Sequence, residues 1–276
     1  MPAANAIVVG AVMYDPKVSL IWDIIKGFFE QQGCSIDCVF FSTYELQVDA
    51  LVEGRIEVAW NSPLAWVDAQ RRTGGTCRAL AMRDTDRDRV THLIVRRNGG
   101  VRGIKDLRGK TVALGARDSP QATLLPVHHL RQHGLVANHD FVPQRHDVLV
   151  GKHGDHIGGE RDAMASLEAG DSEAAAVLDL NWAAWQADGT VDPNRLGILS
   201  STAEFDHCNF TVLDRFPGDR ARRWTDVLFR MRYDNPAHRE MMDLEGLKAW
   251  LPGRTSGYVA LAKATEEQRF FDQSGA

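Results

Sequence analysis

His153 and His156 stand three residues apart in the stretch GKHGDHIGG (151–159), Glu160 follows at once, and His207 sits beside Cys208. These residue types could do three kinds of chemistry. A His-x-x-His pair has a spacing seen in metal sites, but no glutamate or third histidine follows at an established motif distance, so no metal is expected. A cysteine becomes a nucleophile when a histidine can take its proton, which needs the two side chains within hydrogen-bond reach. A glutamate such as Glu160 can act as general acid or base if it faces a ligand, and otherwise suits the first turn of its own helix. His128 and His129 fall within a helical stretch and read as packing or surface residues.

The elements that must position these groups are announced by a phrase that occurs twice. L-x-x-G-x-x-E-x-A runs over residues 51–59, around Gly54 and Glu57, and again over 167–175, around Gly170 and Glu173. Each copy reads as the last turn of a helix, a glycine stop and a short buried strand, because glycine takes the left-handed conformation that ends a helix. The strands deliver Trp60-Asn61-Ser62 and Asp179-Leu-Asn181-Trp182 to their exits. Ligands of open α/β sheets bind beyond the carboxyl ends of strands, so two such exits suggest two lobes.

Elements alternate along the chain. Residues 6–12 read as a strand and 17–32 as a helix with apolar residues at helical spacing. A strand at 36–41, a helix over 44–53 capped by Thr43, a strand at 57–60 and a helix over 62–72 follow. Strands at 78–82, 92–96 and 111–114 come next. Ser119 is a suitable N-cap and Pro120 a suitable first residue for a helix running to about 133. Another helix runs from Glu160 to Gly170, and the tail reads as helices over 219–232, 236–250 and 256–271. Alternating β and α with short joints predicts mixed sheets flanked by helices.

Bulk properties narrow the function. With 276 residues, 44% hydrophobic and 25% charged, the chain is long for one core and comfortable for two. A net charge of −5 leaves no basic excess for phosphates, which argues against nucleic acid as a partner. The four cysteines (Cys34, Cys38, Cys77, Cys208) are too irregular for a disulfide framework. No secretory pattern is visible before the first strand and no apolar run is long enough to span a bilayer, so a cytoplasmic location is expected. A periplasmic one would require that a leader had been removed.

The strings "LVEGRIEVAWNSPLAWVDAQ", "IKDLRGKTVALGARDSPQATLLPVHHLRQHGL" and "AMASLEAGDSEAAAV" resemble the phosphonate/phosphite-binding components of ABC importers. The likeness spans roughly residues 6–260. It implies the α/β, two-lobed type 2 periplasmic-binding-protein fold, each lobe a mixed sheet flanked by helices. Lobe one is expected at 1–91 plus 209–276 and lobe two at 92–208, with hinges near 92–95 and 205–211. A small anionic or zwitterionic ligand is expected in the cleft between them, trapped by hinge closure, with no cofactor. An ABC permease becomes a partner if the protein is exported.

The resemblance also assigns residues. Its anion sits on helix N-termini, among backbone N–H groups and hydroxyls. Ser119 and Thr123 carry over to that loop, while Pro120 and Gln121 depart from the family pattern. Tyr14 and Asn61-Ser62 lie where lobe one makes ligand contacts. The family usually has a histidine at the place Glu160 occupies, and a carboxylate there would repel an anionic head. If Glu160 faces the ligand, the ligand carries a cationic or hydrogen-donating part. Gln121, His153, His156, Asp179 and His207 complete the expected binding set.

Two classes of function fit. The first is a solute-binding module that closes on its ligand without altering it. The second is a cytosolic enzyme on the same fold, a lyase or hydrolase of a small carboxylated substrate, with Glu160, His156 and Cys208 as catalytic groups. Trp60, Trp66 and Trp182 near the expected cleft would let an aromatic ligand stack.

Overall fold

The computed structural model describes residues 6–272, which divide into two compact units. Unit 1 comprises residues 6–87 and 206–257, and unit 2 residues 88–205 and 258–272.

Unit 1 holds a six-stranded sheet in the order β11-β4-β10-β3-β1-β2. Its parallel part is β1 (Ile7–Val12) between β2 (Ile36–Phe41) and β3 (Val58–Asn61). β10 (Asn209–Leu213), from late in the chain, lies antiparallel between β3 and β4 (Cys77–Arg83), and β11 (Trp250–Pro252) closes the edge. Helix α1 (Lys17–Gln31) turns Ile21, Trp22, Ile25, Phe28 and Phe29 onto Val9, Ala11 and Phe210. Fully burying each such side chain contributes about 1.5–3 kcal/mol. α2 (Tyr44–Val52) and α3 (Pro63–Arg72) begin at Thr43 and Ser62, whose hydroxyls accept the N–H of Leu46 and Ala65. α7 (Gly218–Leu228) and α8 (Pro236–Glu245) complete the unit.

Unit 2 holds a five-stranded sheet in the order β7-β6-β8-β5-β9. β6 (Thr111–Leu114) is parallel to β7 (Val142–Arg145) and β8 (Ala174–Leu178), while β5 (Thr91–Arg96) is antiparallel to β8 and β9 (Leu196–Ser201). Alternate residues feed two separate cores, as a doubly covered sheet requires. Leu93, Val95, Val112 and Leu114 face α4 (Leu125–Gln132), whereas Ile94, Ala113, Ala175 and Val177 face α5 (Gly158–Ala169) and the tryptophans of α6 (Asp179–Ala187).

The repeated phrase does the same work in both units. Gly54 and Gly170 have φ of 78° and 89°, and the next residue bonds back to Ala50 O at 2.8 Å or Ser166 O at 3.0 Å. The glutamate then grips the neighbouring parallel strand from both sides. Glu57 N–H donates to Val8 O at 2.8 Å while its carboxylate accepts Val8 N–H at 3.1 Å. Glu173 does likewise with Thr111, at 2.9 Å and 3.0 Å.

Several expectations need correction. The helix expected over 236–250 stops at Glu245, because Gly246 takes the left-handed conformation and Trp250–Pro252 leaves as an edge strand. The helix expected from Pro120 opens with a π-helical turn, Pro120–Leu124, in which Ser119 O accepts from both Thr123 and Leu124. β7 and β9, too short or too polar to show a clear period, carry strand pairing that periodicity did not announce. The last helix, α9 (Val259–Glu267), groups with unit 2 rather than with residues 209–257, as His128 Nδ1 lies 2.7 Å from Glu267 and Gln268 donates to Leu124 O at 2.9 Å.

Candidate functional site

The exits of β6 and β8 in unit 2 are built by close approach. A Cβ on Gly115 would stand 2.6 Å from that of Ala122, and one on Gly159 would stand 2.8 Å from His146 O. The π-helical turn and the start of α5 can therefore lie tight against the end of β6. Residues 151–154 pack over residues 118–121. Gln121 Nε2 donates to Gly154 O at 2.8 Å, and Asp118 Oδ2 accepts the N–H groups of Gly151 at 2.6 Å and His153 at 3.3 Å. Gly154 has φ of 77°, and a Cβ there would stand 2.2 Å from Ser119 Oγ.

Glu160 is the most distinctive group of this region. It is 3% exposed, and its Oε2 accepts the Leu178 N–H at 2.9 Å and Asn181 Nδ2 at 3.0 Å. Burial pushes its pKa up to about 7. The bonds from Asn181, Leu178 and Gln121 oppose that rise, and the nearby Asp179 adds to it. Its other oxygen, Oε1, is fully buried and has no partner within 3.5 Å among the described residues, although the Gln121 side chain lies near enough to act on the carboxylate. Gln121 Oε1, Asp118 Oδ1 and Asp179 Oδ1, all buried oxygens, have no partner there either. Asp179 Oδ2 lies 3.4 Å from Arg89.

The hydroxyls expected to hold an anion are engaged within unit 2. Ser119 Oγ accepts the Ala122 N–H at 3.1 Å as the cap of the turn, and Thr123 Oγ1 donates its proton to Gly115 O at 3.1 Å. His156 Nδ1 accepts the Gly158 N–H at 3.1 Å at the start of α5, and His153 is buried with φ of 51°. Neither histidine belongs to a cluster of three metal-ligating groups among the described residues.

In unit 1, Asn61 is fully buried. Its Oδ1 accepts from Gln47 at 2.8 Å and its Nδ2 donates to Thr211 at 2.9 Å, so its amide is used within the unit. Ser62 caps α3, and Tyr14 packs half-buried on the core. Trp60 is part of the same core, edge-on to Trp250, and Trp66 and Trp182 are buried as well, so none offers an open face for stacking.

His207 and Cys208 do come within reach: Nδ1 lies 3.1 Å from Sγ. With Asp86 they bring three ligand-type atoms within 4.8 Å of one another. Asp86, however, accepts Arg83 Nε at 2.9 Å and Nη2 at 2.6 Å, one on each oxygen. A cation there would have to displace the half-buried Arg83 guanidinium, so the cluster suits an ion-paired crosslink better than a metal. Cys208 belongs to unit 1, whereas Glu160 and His156 belong to unit 2. Sequence reading missed Arg83 and Asp86, whose i, i+3 spacing was the available signal. It also missed Asp118 and Gln47, which carried none.

Two α/β units, each with a mixed sheet interrupted by one antiparallel strand, define a type 2 periplasmic-binding-protein-like architecture. A family model described as "ABC transporter, phosphonate, periplasmic substrate-binding protein" matches residues 25–258, and the chain belongs to that family. The fold is similar to that of XAC2383 from Xanthomonas citri bound to ATP, at TM-score 0.74 and 17% identity over 98% of this chain and 100% of the other. It is also similar to PhnD1 from Prochlorococcus marinus (MIT 9301) in complex with methylphosphonate, at TM-score 0.71 and 16% identity over 96% of this chain and 98% of the other. One curated relative, an uncharacterized protein of Haemophilus influenzae, is 58% identical over 36 residues, or 13% of this chain, and the chain spans 51% of that relative's length. No described helix is long and apolar enough to cross a membrane.

Proposed function

We propose that this protein captures a small anionic or zwitterionic solute, without altering it, as the binding component of an importer. The observation that supports this most is the family match across residues 25–258. The close-packed exits of β6 and β8, with helix starts at Pro120 and Gly158, supply the unit 2 side. In unit 1 the candidates are Tyr14, half-buried after β1, and the helix start that follows Ser62, since the amide of Asn61 is used within the unit. This role calls for a permease partner and a place outside the inner membrane, in contrast to the cytoplasmic location expected from the N-terminal residues. Cell fractionation decides between the two.

Calorimetry with alkylphosphonates, alkylsulfonates, inorganic phosphate and their amino-substituted counterparts tests the reading. Binding of at least one class, with the ligand recovered unchanged by mass spectrometry after long incubation, is the expected result. Accumulation of a product that disappears in Glu160→Gln would replace this reading with the enzymatic one.

A further inference from the structure

A cavity of about 400 Å³ opens in unit 1 beside the first residues of β1 and β2, at the opposite end of β1 from Tyr14. Its lining includes Ile7, the turn Gly33-Cys34-Ser35 that follows α1, and Arg220 and Arg223 of α7. Among the described residues no carboxylate lines it. Its volume is that of a small-molecule site.

Both guanidinium groups are anchored from one side. Arg220 gives its two terminal nitrogens to Glu57, whose carboxylate also accepts Val8 N–H, and its Cζ stands 5.3 Å from the Phe216 ring centroid. Arg223 donates to Gly33 O. A guanidinium carries five N–H donors, so these bonds fix the two groups and leave donors over. Three residues apart on α7, the arginines share one helix face. Their charge reaches the buried Cys34: burial raises its pKa, and Arg223 and then Arg220 oppose the rise. A neighbouring cavity of about 350 Å³ gives the contrast. It shares Arg223 and adds Arg222 and Arg230, but Asp219 and Asp226 also line it, and an anion there would meet like charge.

We propose that the cavity at Arg220 and Arg223 is a second binding site of this protein, apart from the strand exits, and that it takes a phosphate monoester. Two anchored guanidinium groups suit the oxygens of a phosphate, which accept paired N–H bonds from a planar fork. Ser35 brings a hydroxyl, and the buried Ile7 and Cys34 leave an apolar floor for the organic part. The same chemistry is offered by a soluble phosphate ester and by the head group of an anionic lipid.

Nuclear magnetic resonance of the ¹⁵N-labelled full chain tests this at the amides of Gly33, Cys34 and Ser35. The probes are glycerol 3-phosphate, inorganic phosphate, and sodium chloride at matched ionic strength. Glycerol 3-phosphate should shift these amides saturably and chloride should not. Arg223→Gln should weaken the binding at least tenfold, whereas Arg222→Gln, in the neighbouring cavity, should leave it unchanged. Arg223→Lys keeps the charge without the fork; it should weaken binding by a smaller factor and serves if Arg223→Gln does not fold. Co-sedimentation with vesicles of phosphatidylcholine, with and without phosphatidic acid, separates the two sources. Binding only to the vesicles that contain phosphatidic acid, lost in Arg223→Gln, upholds the site and assigns it to a lipid head group. Shifts that chloride reproduces, or that persist in Arg223→Gln, overturn the inference. Shifts confined to the amides of Gly115 and Gly159 also overturn it, while supporting the solute-binding reading. No response to the soluble phosphates or to either vesicle overturns it as well.

Discussion

Glu160 and Asn181 are joined at 3.0 Å through one carboxylate oxygen and one amide nitrogen, twenty-one residues apart in sequence. That bond, with the Leu178 N–H on the same oxygen, ties the start of α5 to the exit of β8. It also fixes which oxygen of Glu160 is left without a partner. The carboxylate is thus buried with both its close hydrogen bonds on one oxygen.

Its titration gives the first prediction. The folded-state pKa of about 7 lies above the ordinary 4.5, so the folded protein holds a proton that the unfolded chain has released between those values. Glu160 therefore costs stability as pH rises from 4.5 to 7, by roughly 3 kcal/mol at 1.36 kcal/mol per pKa unit. Denaturant unfolding from pH 4.5 to 8 should show this decline in the wild type and a flatter profile in Glu160→Gln. Parallel profiles would refute it.

His129 works in the opposite direction. Burial, with His133 and His128 nearby, lowers its pKa to about 4. A depressed base binds its proton in the unfolded chain first, so its contribution is present above pH 6.5 and is lost as pH falls toward 4. His129→Gln should retain a partner for Ser200 Oγ, now 2.8 Å from Nε2, and lose part of the acid sensitivity between those values. The difference between variant and wild-type profiles is the measurement.

The glutamates of the repeated phrase should matter to stability. Glu173→Ala removes the acceptor of the Thr111 N–H and should destabilise unit 2 by about 1–3 kcal/mol. Glu57→Ala should cost a similar amount in unit 1, where the carboxylate also pairs with Arg220. Urea midpoints of the two variants provide the check, and an unchanged midpoint would show the contact to be dispensable.

Gly154→Ala should disturb the region without touching a charge. The new Cβ would meet Ser119 Oγ at 2.2 Å, at a φ of 77° that suits glycine. We expect destabilisation of about 1 kcal/mol or more. Amide exchange at residues 118–124 should accelerate, and unaltered exchange there would count against the packing of the two loops.

Ser119→Ala removes the cap of the π-helical turn, which should cost about 0.5–2 kcal/mol whether or not a ligand is present. Thr123→Val removes the donor to Gly115 O and should add a loss near 1 kcal/mol. Thermal unfolding of the unliganded variants isolates this structural share. A wild-type transition in the double variant would show that both hydroxyls are reserved for ligand.

Much of this molecule was legible in its sequence, because the signals involved are local. The spacing of apolar residues marked α1, the capping hydroxyls of Thr43, Ser62 and Ser119 marked helix starts, and Gly54 and Gly170 marked stops at φ values only glycine adopts freely. The strings around those glycines carried the family and, through it, two α/β lobes. What the sequence could not express is pairing over long separation. Only the tertiary structure places β10 between β3 and β4, gives β11 its edge, and sets α9 on α4. It also decides that Asn61 is consumed by Gln47 and Thr211 and that Thr123 bonds to Gly115. Glu160 shows the division most clearly. Its residue type and its place at the start of a helix were written in the chain, but its burial and the oxygen by which it is held depend on Leu178 and Asn181, brought to it by folding alone.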